Sequence, residues 1–373
     1  MKVAIALQVG LLLLCSPLTV PAQTTPPKLK QPEQVEQKQQ PIVPAPADQK
    51  EVGEDDVLKI NTTLVTVPVS VMDRSGRFIP NLLRSDFHIY EDGIKQQIAF
   101  FAPVEMPFTV VLLIDTSPST RSRQKEVREA ADTFITQLRP DDNVMVVTFN
   151  GEIKVLSKAT KSREALRKAI SNIQWNGSGT LLYGTIDALL NRFFKRLHGR
   201  KALVMLTDGQ DNDPRPNLIA HADELRKQGV TITYYGSSCQ VIPCVTYKDS
   251  LRSVEELDTL IYSIEYAEPI EQALKERPKV SPEDIYKVYE LATSYLRQLA
   301  EKTGARYYKA DEQQNLSQVF TSIANELRYQ YSLGYYPLTP PQSGQKRQIK
   351  VRVGKPDVAV RSRTSYIYAP PNK

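Results

Sequence analysis

The sequence contains few residues that could form a zinc or redox centre. Its 373 residues include only three cysteines and three histidines, and no histidine stands beside Cys239 or Cys244. Since structural zinc sites use about four cysteine or histidine ligands at short spacing, we do not expect zinc at this cysteine pair. The G-x-S-x-G turn of serine hydrolases and the phosphate-binding Walker loop are also absent. These absences argue against a serine hydrolase of that type and against an enzyme that binds nucleotide phosphates through a Walker loop.

Long apolar stretches are also missing. The apolar stretch at residues 3–15 is shorter than the roughly 20 residues that cross a bilayer, and no later stretch is long enough. It follows Lys2 and precedes small residues that end at Ala22, which is the pattern of a cleavable export signal. We therefore expect cleavage after Ala22, no transmembrane segment, and a location in the periplasm or outside the cell. Lipid attachment at Cys15 is the alternative, but Leu14 stands where such signals usually carry a small residue.

The two remaining cysteines form a candidate disulfide. Removal of the signal would leave only Cys239 and Cys244. An even number of cysteines in an oxidising compartment favours a bond between them. Two free buried thiols are the alternative.

Neither sign of charge dominates the chain. The net charge is +6, from 48 basic and 42 acidic residues that are mixed along the sequence. Such a mixture permits attraction to anionic surfaces without establishing it, and it does not indicate nucleic-acid binding.

Composition and periodicity divide the chain into segments. After a signal peptide at 1–22, residues 23–56 are rich in proline, glutamine, lysine and glutamate, and we expect a disordered linker there. Alternating apolar residues predict strands at 57–106 and again at 330–373. Because these segments flank a different kind of sequence at 107–329, we expect them to pair into one small β-sandwich-like module.

Residues 107–329 alternate between short apolar runs and helical periodicity. A run at 110–114, for example, is followed by apolar residues at helical spacing that stop before Pro140. Strands buried on both faces and separated by helices predict an α/β fold, a three-layer, doubly wound and mostly parallel sheet inserted in the β module. The strand order is ambiguous because residues 230–235 and 260–266 could each form the next core strand.

Oxygen-bearing side chains follow two of the predicted strands and end a glycine-rich loop. The candidates are Asp115, Ser117, Ser119, Thr180 and Asp208. The carboxyl ends of parallel strands meet at one edge of a sheet, so we expect these side chains to converge. Carboxylate and hydroxyl oxygens suit a small hard cation such as Mg²⁺. With only two carboxylates, the ion would keep positive charge and could accept a carboxylate from a partner protein.

Three motifs at these positions resemble a known family. DTSPST, GSGTLLYG and LTDGQD are similar to the metal-ion-dependent adhesion site of von Willebrand factor type A domains, over about residues 107–329. The resemblance implies that Ser117, Ser119 and Thr180 supply hydroxyl oxygens, whereas Asp115 and Asp208 act largely through water. It also implies a protein or peptide ligand with an acidic residue, and Mg²⁺, Mn²⁺ or Ca²⁺ as the ion.

The flanking sequences resemble a narrower group. LVTVPVSVMDRSGRFIPNLLRSDFHIYEDG and YSLGYYP are similar to secreted proteins of this family from acidobacteria. In that group a stretch like DSLRSVEELDTLIYSIEY follows soon after the aspartate loop, which favours residues 260–266 as the core strand. Residues 214–245 would then be an insertion that carries both cysteines.

Other interpretations remain open. Asp115 or Asp208 alone could cap a following helix, and for Thr180 alone capping is an equally good explanation. A phosphoryl-transfer enzyme of the haloacid dehalogenase type would use Asp115 as nucleophile and Asp208 with Asp211 for Mg²⁺. That chemistry usually needs a second carboxylate two residues after the nucleophile, where this chain has Ser117. We therefore expect a binding protein and not an enzyme.

A structural envelope protein with a vestigial metal site is a further alternative. Basic residues alternate along the last predicted strands and could contact an anionic polymer: Lys346, Arg347, Lys350, Arg352, Arg361 and Arg363. The solvated face of a sheet is the more common explanation of such a pattern.

Overall fold

The computed structural model describes residues 64–103, 106–177, 179–197, 199–212, 245–310 and 315–370. The predicted signal peptide and linker, both cysteines of the predicted disulfide and nearly all of the predicted insertion lie outside these residues. Within the described part of the chain, no helix is both long enough and apolar enough to cross a membrane.

The described residues form strands and helices that fall into two groups. The strands are β1 (Val65–Asp73), β2 (Phe87–Glu91), β3 (Ile94–Gln96), β4 (Ile98–Ala102), β5 (Phe108–Asp115), β6 (Asn143–Phe149), β7 (Ile153–Thr160), β8 (Arg200–Thr207), β9 (Leu260–Glu265), β10 (Tyr307–Lys309), β11 (Tyr331–Tyr335), β12 (Lys346–Val353), β13 (Val358–Ser362) and β14 (Ser365–Ile367). The α-helices are α1 (Gln124–Gln137), α2 (Arg163–Ser171), α3 (Leu182–Arg192), α4 (Tyr247–Glu255), α5 (Ile270–Glu276), α6 (Pro282–Thr303) and α7 (Leu316–Arg328).

A six-stranded central sheet forms the middle layer of the α/β domain. Its order is β10-β9-β8-β5-β6-β7, and every neighbouring pair is parallel except β6 and β7. The apolar residues of α1, α2 and α7 cover one face of the sheet, and those of α3, α4 and α6 cover the other. The predicted three-layer α/β fold with a mostly parallel sheet is therefore confirmed. Burial on both faces explains why β5 and β8 are continuous apolar runs.

Two features of this sheet were not determined by the sequence pattern. The ambiguous core strand is β9, which pairs with β8 and β10, as the family resemblance favoured. Strand β7 was missed because it is an antiparallel edge strand whose residues are all exposed or half-buried, so it lacks a clear apolar period.

Sequence signals mark both ends of α6. The Ser281 side chain accepts a hydrogen bond from the backbone N–H of Asp284, and Pro282 occupies the first turn. Gly304 follows the helix with a left-handed φ of 79°. A Cβ at Gly304 would lie 2.5 Å from the backbone nitrogen of Arg363, so only glycine fits at this junction.

The segments before and after the α/β domain pair with each other. Two antiparallel four-stranded sheets have the orders β13-β1-β11-β4 and β14-β12-β2-β3. Apolar residues from both sheets form one shared core, separate from the two cores of the α/β domain. The predicted pairing of the terminal segments is therefore confirmed, and we call this unit the β module.

Arg200 connects the two places where the chain passes between the β module and the α/β domain. Its guanidinium donates to the carbonyl of Met106 at 2.5 Å, just before β5. It also donates to the carbonyl of Leu327 at 3.0 Å, in the last turn of α7, and to that of Gln330 at 2.5 Å, just before β11. The same group lies 4.0 Å from the ring centroid of Phe108. One buried side chain thus holds both crossings together.

Buried acids of the α/β domain bind polar and basic side chains of the β module. Glu326 on α7 is fully buried and accepts hydrogen bonds from Arg361 and, at 3.3 Å, from Ser70. Glu255 on α4 is also buried, and its carboxylate lies 2.7 Å from Nζ of Lys346. These contacts fix the β module to the side of the α/β domain.

The six basic residues of the last strands therefore do not form one free basic surface. Arg347 pairs with Asp92 at 2.7 Å, and Arg363 donates to backbone carbonyls. Arg361 and Lys346 bind Glu326 and Glu255, as described above. Four of the six basic residues therefore already have partners within the molecule. This leaves Lys350 and Arg352 as exposed cations, of which Arg352 stacks on Tyr90 at 5.3 Å.

Candidate metal centre

Three loops meet at the carboxyl edge of the central sheet. Strands β5 and β8 are neighbours in parallel register, with Ile114 opposite Leu206. The loop after β5 and the loop after β8 therefore leave the sheet side by side. The backbone N–H of Asn212 donates to the carbonyl of Thr180 at 3.0 Å, which joins the third loop to the second. The topology thus produces the convergence that the sequence predicted.

Four of the five predicted residues form a connected hydrogen-bond chain. The hydroxyl of Ser119 donates to Oδ2 of Asp208 at 2.6 Å, and the Ser117 and Ser119 hydroxyl oxygens are 3.1 Å apart. Oδ1 of Asp115 accepts the backbone N–H of Ser117 at 2.8 Å. Oδ2 of Asp115 accepts the hydroxyl of Thr207 at 2.7 Å. Each aspartate therefore contacts both its own loop and a hydroxyl from the neighbouring strand or loop.

Thr180 lies in the same place without a hydrogen bond to the other four. Its residue is only 4% exposed, and it lines the same groove as Ser119 and Asp208. Its backbone N–H donates to Oδ1 of Asn212 at 2.7 Å, while its hydroxyl has no hydrogen-bond partner among the described residues. Helix α3 begins after Leu181 and has no side-chain cap at that residue, so the alternative of Thr180 as a helix cap is not found.

The site holds two buried carboxylates close together. Asp115 is 2% exposed and Asp208 is 3% exposed, and neither forms an ion pair with a basic side chain in the described part of the chain. Burial, followed by the charge of Asp208, raises the pKa of Asp115 to about 7. Burial also raises the pKa of Asp208. Buried carboxylates are normally paired or bound to metal, and the raised pKa values of both groups reflect the cost of holding these charges without a cation.

The donor set fits a hard divalent cation. Two carboxylates and three hydroxyls offer only oxygen ligands, which Mg²⁺ and similar ions prefer. The hydroxyl of Thr180 binds no group among the described residues, although the residue as a whole is almost fully buried, so it is free to bind an ion. No cluster of three or more His, Cys, Asp or Glu side chains occurs among the described residues, so this hydroxyl-rich site differs from the common carboxylate or zinc cages.

Sequence reasoning missed the residues that hold the loops in place. Asn150, after β6, donates from Nδ2 to the hydroxyl of Thr116 at 3.0 Å and accepts the backbone N–H of Leu181 at 3.0 Å. A Cβ on Gly177 would lie only 2.0 Å from Nδ2 of Asn150, so glycine is required there. The hydroxyl of Thr120 donates to the carbonyl of Asp115 at 3.0 Å. Apart from Gly177, which stands in the glycine-rich motif, no sequence pattern identifies these contacts.

A groove lies beside the site. Its volume is about 2200 Å³, and Ser119, Thr180 and Asp208 form part of its wall. Asp115 and Ser117 are buried behind this wall and do not line it. Helices α5 and α6 form the facing side, with Tyr286 exposed on α6. Any ion bound at the hydroxyls would therefore face a space that a partner molecule could enter.

The chain is similar to curated proteins and to solved structures over part of its length. A protein of Nocardia farcinica named UPF0353 protein is 24% identical over 239 residues, which is 61% of this chain and 65% of the relative. This chain therefore spans less than two thirds of that relative.

Solved structures match at low identity. The von Willebrand factor type A protein from Catenulispora acidiphila is 12% identical, with a TM-score of 0.40 over 84% of this chain and 76% of that one. The vWF domain of the type V pili tip protein Mfa5 from Porphyromonas gingivalis is 16% identical, with a TM-score of 0.39 over 58% and 94%. Proximal thread matrix protein 1 from the mussel byssus, with a zinc-occupied MIDAS motif, is 14% identical, with a TM-score of 0.37 over 64% and 49%.

The family comparison identifies the domain that carries the site. The model of the von Willebrand factor type A domain matches residues 109–258, which run from β5 through β8 to the end of α4. This range contains all five predicted site residues. The part of the chain that carries the site is therefore similar to a von Willebrand factor type A domain.

Proposed function

We propose that the protein is exported and binds a partner protein through a divalent metal ion, with Mg²⁺ as the main candidate and Mn²⁺ or Ca²⁺ as alternatives. The ion would be held by the hydroxyls of Ser117, Ser119 and Thr180. Asp115 and Asp208 would act largely through water. When bound, the ion would supply a positive charge to which a carboxylate of the partner can bind.

The charge balance of the site is the observation that carries this proposal. Two buried carboxylates without a basic partner among the described residues favour a bound cation. Three of the five candidate ligands are neutral hydroxyls, so the negative charge of the ligands would not exceed the positive charge of a divalent ion. The hydroxyls of Ser119 and Thr180 stand at the wall of an open groove, which gives an outside carboxylate a route to the ion.

The contacts of Ser119 suggest how the protein would prepare its ligands. Its hydroxyl proton points to Asp208, which leaves the oxygen lone pairs free for a cation. Asp208 is itself oriented by the backbone N–H of Gln210 at 3.0 Å. Asp115 is oriented by Thr207 and by its own loop. Such outer contacts fix the ligands before the ion arrives.

Substitution of Ser119 by alanine, compared with Ser122→Ala, tests the metal site. Both serines line the groove, but only Ser119 belongs to the proposed ligand set. We expect Ser119→Ala to weaken Mg²⁺ binding at least about tenfold in calorimetric titration. Ser122→Ala should bind as the unchanged protein does. Equal Mg²⁺ affinity in the two variants would contradict the proposed ligand set.

A pull-down from envelope extract tests the partner. Immobilised protein should retain one or more proteins in Mg²⁺ and release them in excess chelator, and Asp115→Ala should retain none while keeping its circular dichroism spectrum. Retention that persists in chelator would reject the metal-dependent mechanism. The same experiment identifies the partner by mass spectrometry.

The enzyme alternative lacks a group that its chemistry needs. A haloacid dehalogenase mechanism requires a carboxylic acid two residues after the nucleophile, and Ser117 stands there with its oxygen 3.1 Å from that of Ser119. We therefore include the absence of enzymatic activity in the proposal. Phosphatase turnover that is lost in Asp115→Ala would reverse this conclusion.

The cellular location and the disulfide are also part of the proposal. Export with cleavage after Ala22 and a Cys239–Cys244 disulfide rest on the sequence alone. The resemblance to the secreted acidobacterial group and the domain boundaries at residues 57, 107 and 330 also stay predictions. Mass spectrometry of the protein purified from its own cells, with and without reduction, would measure both the N-terminus and the thiol state.

A further inference from the structure

The groove beside the candidate metal site has a charge opposite to that of the whole chain. Nine of its described lining residues are acidic and four are basic, which gives a difference of minus five. The whole chain has a net charge of +6. Negative charge is therefore concentrated on this one surface.

The basic residues of the groove are already engaged within it. Arg123 pairs with Glu126 at 2.8 Å, and Arg277 pairs with Glu268 at 3.1 Å. Lys309 lies 3.5 Å from the carboxylate of Glu265. The fourth cation, Arg297, stacks at 4.4 Å on Tyr307. Three of the four cations are therefore paired with acids of the groove, and only Arg297 forms no ion pair among the described residues.

Three of the acids that remain are exposed on α5 and α6. Glu271, Glu276 and Glu290 line the groove and form no ion pair within the described part of the chain. Glu276 accepts a hydrogen bond only from Gln272, an uncharged neighbour on α5. These carboxylates are thus available to cations from outside.

A second observation, independent of the acids, indicates that a ligand enters this groove. Thr180 is 96% buried, lines the same groove and has no partner for its hydroxyl among the described residues. Thr180, and an ion bound there, thus share one groove with Glu271, Glu276 and Glu290.

We propose that the partner presents its carboxylate within a segment rich in lysine or arginine. This inference rests on the proposed metal-dependent function. A carboxylate without basic neighbours would be attracted by the ion but repelled by the acidic wall. Basic residues on either side would turn that repulsion into attraction, which gives specificity as well as faster association. Strongly acidic proteins and nucleic acids would be excluded.

Three synthetic peptides of equal length test the inference. Each has one central aspartate, flanked by lysines in the first peptide, by glutamines in the second and by glutamates in the third. Binding to the full chain is measured by fluorescence anisotropy in saturating Mg²⁺ and in excess chelator. We expect the lysine peptide to bind about tenfold more tightly than the glutamine peptide, with the glutamate peptide weakest. Chelator should abolish the binding of all three.

Two charge-reversal variants provide the matched comparison. E271K/E276K/E290K changes the groove, whereas E129K/D141K/E164K makes the same change of charge at exposed positions outside it. The groove variant should lose the preference for lysine, and the control variant should keep it. A Mg²⁺ titration and a circular dichroism spectrum of each variant verify that the ion and the fold are retained.

The outcomes separate this inference from the function on which it rests. Equal affinity for the lysine and glutamine peptides, with both lost in chelator, would overturn the inference and leave metal-dependent binding intact. A preference for the lysine peptide that the groove variant retains would also overturn the inference and leave metal-dependent binding intact. A lysine preference that survives chelator and a central Asp→Asn change would overturn the metal-dependent function. Absence of Mg²⁺-dependent binding for every peptide would overturn both.

Discussion

The hydroxyl of Ser119 donates a hydrogen bond of 2.6 Å to the carboxylate of Asp208, which lies 89 residues further along the chain. The two residues come from loops that follow neighbouring parallel strands, β5 and β8. This bond joins the two loops directly. It also places negative charge behind a hydroxyl oxygen that faces the groove, which is where a cation would be stabilised.

Asp208→Asn should stabilise the metal-free protein and remove its response to metal. The carboxylate is buried near Asp115 without a basic partner in the described residues, and an amide of the same shape removes the charge. The amide oxygen can still accept from Gln210, and its nitrogen can donate to Ser119. We expect a gain of about 1 to 3 kcal/mol in urea unfolding with chelator present.

The same variant should show no rise in Tm when Mg²⁺ is added, whereas the unchanged protein should show one. Glu164→Gln, which removes an exposed acid outside the groove, serves as the control and should behave as the unchanged protein. A loss of stability in metal-free Asp208→Asn would mean that the two carboxylates do not repel each other in the folded state.

The stability of the metal-free protein should fall as pH rises between about 4 and 7. The pKa of Asp115 is raised from 3.8 to about 7, so the folded protein keeps a proton that the unfolded chain releases. A state that holds more protons is favoured at low pH, and this contribution is lost as pH rises toward the folded pKa. Urea unfolding in chelator at about pH 5 and about pH 8 measures the effect.

Two comparisons isolate this contribution from other titrating groups. Asp115→Asn should lose the part of the pH dependence that belongs to the site. Saturating Mg²⁺ should reverse the trend, because the ion binds the ionised carboxylates and competes with protons. An identical pH dependence in the unchanged protein and Asp115→Asn would contradict the prediction.

Gly177→Ala should weaken the metal site through Asn150. The added Cβ would lie 2.0 Å from Nδ2 of Asn150, which donates to the hydroxyl of Thr116, while the backbone carbonyl of Asn150 accepts the N–H of Leu181. Either Asn150 or the loop must move, at a cost of about 1 to 3 kcal/mol in unfolding free energy. The affinity for Mg²⁺ should fall together with the stability. Gly354→Ala is the matched control, because its Cβ would meet its nearest atom at an ordinary 3.7 Å.

Glu326→Ala should destabilise the connection between the β module and the α/β domain. The carboxylate is fully buried and holds Arg361 and Ser70 of the β module. Its removal leaves a partly buried guanidinium without its partner, which we expect to cost about 3 kcal/mol in chemical unfolding. Glu283→Ala, which breaks an exposed pair with Lys287, should change stability by less than about 0.5 kcal/mol. Similar losses of unfolding free energy in both variants would show that the buried contact stabilises the protein no more than the exposed pair does.

Much of the α/β domain could be predicted because its signals are local. The ends of helix α6 can be read from the sequence, since Ser281, Pro282 and Gly304 mark them within a few residues of the chain. Strands β5 and β8 were recognised because burial on both faces makes them continuous apolar runs. By contrast, β7 is a solvated edge strand, so its sequence carries neither an apolar run nor a regular alternation.

The sequence by itself determined which side chains could bind a hard cation, because Asp115, Ser117, Ser119, Thr180 and Asp208 stand at strand ends or in a glycine-rich loop. It also determined that the two terminal segments are β-rich and flank an α/β domain. Only the tertiary structure decided that Asn150 and Thr207 support the site and that the acidic residues of α5 and α6 face it. It likewise decided that Glu326 and Glu255 bind basic side chains of the β module. These contacts join residues far apart in the chain, and their geometry depends on how helices and sheets pack, which no local sequence pattern specifies.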